Sequence, residues 1–117
     1  MKTEFSTFDI VKILEIPRER LKDWMNNGFV KPTTPAQGRG SRAVFMREDV
    51  YIIALFKNMI SWGLKREVAA RIIRDGDPTS DLGMRLVEIG DGAYYSADFQ
   101  KVIDEVDKKI QEIYEVK

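Results

Sequence analysis

The chain has 117 residues, 44% of them hydrophobic and 32% charged, with 19 Lys/Arg against 19 Asp/Glu, as in one ordinary globular domain or a small domain with an extension. It has no cysteine and no histidine, which removes disulfides, thiolate metal sites, cysteine nucleophiles and the commonest general base, so neither catalysis nor a metal or cofactor is expected. No apolar run approaches the ~20 residues of a membrane span and the first six residues lack a signal-peptide core, so a cytoplasmic protein with no membrane partner is expected.

The charge is unevenly spread. Residues 1–74 hold 14 Lys/Arg against 8 Asp/Glu, and residues 75–117 hold 5 against 11. A basic front and an acidic back suit an anionic partner at the front, because surface potential is local and screened over ~8 to 10 Å in physiological salt.

Ser6 reads as the N-cap of a first helix, with Asp9 three residues later in a capping-box arrangement. Phe8, Ile10, Val11, Ile13 and Leu14 supply its buried side, and it ends near Glu15. Ile16-Pro17 forces a turn, since the residue before proline avoids the helical region. Pro17 opens a second helix that Gly28 closes. One face of it collects Pro17, Leu21, Trp24 and Met25, while Arg18, Glu19, Lys22, Asp23 and Asn26 point away. Two short helices joined so tightly make a helix-turn-helix, whose second member is the one that enters a DNA groove. A free face of Arg, Lys, Asn and Glu can hold phosphates and hydrogen-bond base edges, and a solvated amphipathic helix would look the same.

Phe29-Val30 and Ala43-Val44-Phe45 are β-prone and separated by the loop TTPAQGRG, which suggests a two-stranded wing with Arg39 and Arg42 flanking its tip. Arg47 to Trp62 is the strongest helix, ended by Gly63, and Leu64 to Arg74 is a further one. Together they form a floor for the first two.

The run FSTFDIVKILEI-PRERLKDWMNNGFVKP, followed by F-MRED and SWGLKREVAARII, resembles in order and spacing the winged helix-turn-helix domain of MerR-type regulators. Phe5 and Ser6 stand before the first helix, Leu21 and Trp24 within the second, Gly28 to Pro32 after it, Phe45 four residues before Asp49, and Gly63 fourteen after. The resemblance implies double-stranded DNA as partner, with Arg18, Glu19 and Lys22 in or beside the major groove, Arg39 and Arg42 as wing contacts and Lys57 as a backbone contact. It departs where Asp23 replaces a common phosphate-contacting tyrosine, where Lys22 replaces the usual arginine, and at Arg42, one residue out of register with the family's wing arginine.

Beyond residue 74 the family pattern breaks. Asp75-Gly76-Asp77-Pro78 stops the fourth helix, and Met84 to Ile89 with Ala93 to Tyr95 reads as a small hairpin around Gly90-Asp91-Gly92. Asp75, Asp77, Asp81 and Asp91 lack the ligand alternation of a calcium loop and read as loop acidity. Ser96 to Lys117 is expected to be a helix capped by Ser96. Phe99, Ile103, Val106, Ile110 and Ile113, spaced 4, 3, 4, 3, form an a/d seam. That seam suits either an antiparallel coiled coil between two subunits, as the resemblance implies, or a helix folded back on its own domain.

The expected architecture is mainly α: a winged helix-turn-helix domain over 1–74 with about four helices and a two-stranded wing, then 75–117 as acidic linker, hairpin and coiled-coil dimerisation helix. The expected function is that of a homodimeric transcriptional regulator, nucleoid-associated in the cytoplasm, that binds a (pseudo)palindromic promoter element and alters its engagement by RNA polymerase. A phage-type architectural factor or excisionase, or a protein-interaction adaptor, would use the same features differently.

Overall fold

The structure is a computed structural model, and it describes residues 2–38, 40–75, 84–90 and 92–115. Helix α1 (Thr7–Leu14) starts as its sequence demands: the Ser6 side chain accepts from the Asp9 N–H at 3.1 Å, and Asp9 accepts from the Ser6 N–H at 2.8 Å. Ile10, Ile13 and Leu14 are buried, whereas Phe8, 70% exposed, falls on the opposite side of so short a helix and is not part of the core. The helix ends on Glu15, which takes the left-handed conformation at φ 54°. Lys57 donates from Nζ to the Leu14 carbonyl at 2.7 Å and satisfies an orphan acceptor at that end.

Helix α2 (Arg18–Asn26) follows one tight turn later. Pro17 sits outside it as the N-cap and is exposed, so the buried face is Leu21 and Trp24, with Met25 at its edge. Gly28, at φ 74°, lets the chain leave the helix in a left-handed turn, where the Cβ of other residues is unfavourable. The Trp24 ring meets Phe56 edge-on at 4.9 Å, and Phe56 is stacked on Phe29 at 5.8 Å. These rings fasten α2 from behind to helix α3 (Arg47–Ser61).

The wing differs from the expected pairing. Val30 is buried and Phe29 stacks in the core, and Pro32 has no N–H to donate. The two limbs therefore meet only further out, at an antiparallel Thr34–Val44 bridge. Phe45 pairs elsewhere: strands β1 (Glu4–Phe5) and β2 (Phe45–Met46) are antiparallel, Phe5 opposite Phe45.

Helix α4 (Arg66–Asp75) packs on α3. Strands β3 (Met84–Gly90) and β4 (Ala93–Asp98) form the hairpin expected from their turn residues. Helix α5 (Phe99–Ile110) begins three residues later than its sequence suggests, because Ser96 to Asp98 belong to β4 and the Asp98 side chain caps the helix by accepting from the Lys101 N–H. A π-helical turn, Gln111–Glu115, extends it.

The seam of α5 is filled from within the same chain. Phe99, Ile103, Val106 and Ile110 are buried, Ile113 is partly so, and the helix lies against α1 and α3. Of the two coverings that such a seam allows, the single chain shows the fold-back onto its own domain: α1 and α3 offer an apolar surface within reach of the tail. One core thus draws residues from both sides of position 74. Of the acidic loop residues, Asp77, Asp81 and Asp91 lie outside the described residues.

Candidate nucleic-acid interface

Because Leu21 and Trp24 anchor α2 by one side, its other side is free. Arg18, Glu19, Arg20, Lys22, Asp23 and Asn26 are all exposed. Arg18, Glu19 and Lys22 line a shallow groove with Thr7, Met25 and Asn26. Through Thr7, Arg18 and Met25 it continues into a second groove of about 590 Å³ that reaches the wing, where Arg42, Ser41 and Ala36 form the far wall. The structure therefore gathers four of the residues singled out in the sequence, Arg18, Glu19, Lys22 and Arg42, along one continuous surface. Arg39 lies outside the described residues.

Lys57 is placed differently. Its ammonium is committed to the Leu14 carbonyl, and it lines a separate cavity with Glu15, Val102 and Lys109. There it caps α1 instead of flanking α2.

What holds the wing at its angle is a carboxylate. Asp49 accepts from the Met46 N–H at 2.9 Å, from the Thr33 N–H at 3.0 Å and from the Thr33 hydroxyl. It ties the start of the wing to the first turn of α3, and its spacing from Phe45 carries this role in the sequence. The wing loop is closed further out by Gln37 N–H donating to Ser41 Oγ at 2.6 Å.

A second pairing has no local sequence signal. Arg66 Nη1 donates to Asp23 Oδ2 at 2.7 Å across 43 positions, while its guanidinium lies 5.2 Å from the centre of the Phe29 ring. Asn27 Nδ2 donates to Asp23 Oδ1 at 3.0 Å. An exposed ion pair thus links α2 to α4.

On the opposite side of α1, Tyr114 donates to Asp9 Oδ1 at 2.5 Å, and Lys2 lies 3.6 Å from the same carboxylate. Arg47 and Tyr51 both donate to Asp107 Oδ1. Burial pushes the Asp9 carboxyl up, yet the Tyr114 hydroxyl, the Ser6 N–H, the Lys2 charge and the Ser6 hydroxyl together bring it below the ordinary range. Burial and the Asp9 carboxylate both push the Tyr114 phenol up.

Among the described residues no three His, Cys, Asp or Glu side chains are grouped to hold a metal ion, and no helix is long and apolar enough to cross a membrane. No curated protein matches the chain significantly. Residues 5–75 match the family model described as MerR HTH family regulatory protein.

Proposed function

Since the chain belongs to the MerR family of helix-turn-helix regulatory proteins, we propose that it regulates transcription by seating α2 in the major groove of double-stranded DNA with the wing against the neighbouring backbone. The observation that carries this reading is the continuous surface joining Arg18, Glu19 and Lys22 to Arg42, on a helix whose reverse side is fixed by the Trp24–Phe56–Phe29 stack. An α-helix fits the major groove, and a rigidly backed one enters without losing its orientation. Arg39, a wing contact that the family resemblance implies, extends the contact along the backbone in this reading.

Two copies occupy a (pseudo)palindromic promoter element, one half-site each, in a cytoplasmic, nucleoid-associated setting. Distortion of the DNA between them, at a cost of a few kcal/mol offset by phosphate contacts, changes how RNA polymerase engages the promoter. The role is one of binding, without catalysis or a cofactor. With Phe99, Ile103, Val106 and Ile110 buried within the single chain, this reading joins the pair on the DNA.

Selection of bound sites from random DNA, followed by footprinting, tests this. A palindrome with half-sites one helical turn apart is expected, and a folded protein that selects no sequence would sink the reading. The inward-turned seam also favours a second reading, an architectural factor whose single copies line the duplex, and a cooperative filament footprint would select it.

A further inference from the structure

The crest of α2 is not cationic. At 3.6 residues per turn, Glu19 and Asn26 lie opposite the buried Leu21 and Trp24, flanked by Asp23 on one side and by Lys22, with Arg18 beyond it, on the other. A bare carboxylate there would be repelled by the phosphates of any duplex the helix entered. Asp23 is not bare. Arg66 balances its charge through Oδ2, Asn27 holds Oδ1, and Arg66 is itself seated on Phe29, which stacks on the core residue Phe56. A side chain that remains 53% exposed is thereby held in one orientation by contacts that run back to the core.

We propose, on the premise that α2 enters a major groove, that Asp23 reads a base: it accepts a hydrogen bond from the exocyclic N4 amino group of a cytosine, with Arg66 and Asn27 as positioning residues. An ionised carboxylate offers about four acceptor directions, and Arg66 and Asn27 take two. Of the four bases, guanine shows only acceptors in the major groove, thymine an acceptor and a methyl, and adenine a donor beside its N7 acceptor. Cytosine alone presents a donor with no acceptor beside it on the same base, so it is the base that a fixed carboxylate accepts from without meeting a lone pair. The guanidinium of Arg66 lowers the repulsion that the carboxylate would feel from flanking phosphates.

The test is site selection from random duplex DNA with the full chain and with Asp23→Asn, Asp23→Ala and Arg66→Ala, each checked by circular dichroism and then titrated against single-base variants of the selected site. One position per half-site should require cytosine over the other bases by roughly five- to one-hundred-fold with the native chain. Asp23→Ala should level that position and leave the others intact, and Arg66→Ala should blunt it. Asp23→Asn should move the preference toward adenine, whose N6 and N7 match an amide. An unchanged motif in folded Asp23→Ala and Asp23→Asn would overturn the inference while leaving DNA binding standing. A native chain that selects no site would remove the premise together with the inference.

Discussion

Lys22 and Lys57 show how little a residue's type says about its role. Lys22 stands exposed in the α2 groove, while Lys57 donates to a carbonyl at the end of α1. If Lys22 and Arg39 touch phosphates, replacing either with alanine should weaken DNA binding and flatten the dependence of log K on log salt by about one unit, as read from titrations at several salt concentrations. Lys57→Ala should leave that slope unchanged and lower stability to urea by about 1 to 2 kcal/mol, since a charge-assisted hydrogen bond and a favourable helix-end charge are lost. Asp49→Ala removes an acceptor shared by Met46 and Thr33. It should weaken binding through the wing, by loosening it, while the site preferred by α2 stays the same in a selection experiment.

At the scale of elements, the tail α5 is fastened in two ways. Apolar residues of the seam enter the core, and a polar rim of Asp9–Tyr114, Lys2–Asp9, Arg47–Asp107 and Lys109–Glu15 surrounds them. Ile110, fully buried, should lose about 2 to 5 kcal/mol of stability when cut to alanine. Thermal midpoints of Ile110→Ala should not depend on protein concentration, because the lost contact lies within one chain; a concentration-dependent midpoint in the native chain would instead place the seam between subunits. The rim adds a pH window. Asp9 has a lowered folded-state pKa, so its contribution is complete above the ordinary carboxyl value of 3.8 and is lost as pH falls below it. Tyr114 has a raised one, so its contribution is complete below the ordinary phenol value of 10 and is lost as pH climbs past it. Tyr114→Phe should therefore flatten the alkaline limb of urea midpoint against pH and soften the acid limb.

Over the whole molecule, a cationic groove on one side of α1 and a bound tail on the other give the chain opposed faces, one for a polyanion and one closed. The principal extents of 46 × 35 × 23 Å fit one half-site of a duplex, in which successive major grooves on one face are ~34 Å apart. Two chains on one duplex should appear in sedimentation of the protein–DNA complex, with a single chain in the absence of DNA.

Local chemistry sufficed for much of this. Ser6 with Asp9, the Ile16-Pro17 break, Gly28 and the apolar spacing of α3 each act over a few residues, so the helix-turn-helix and the exposed face bearing Arg18, Glu19 and Lys22 were readable from the chain. The hairpin at β3 and β4 was readable for the same reason. Contacts between distant segments were not. That Phe45 would pair with Phe5, that Lys57 would cap α1, that Arg66 would hold Asp23, and that the tail seam would meet its own core depends on which surfaces come within reach after folding. A heptad-like stripe records only that an apolar face must be covered. Whether a second copy or the same chain covers it is decided by tertiary geometry, since both bury the same side chains.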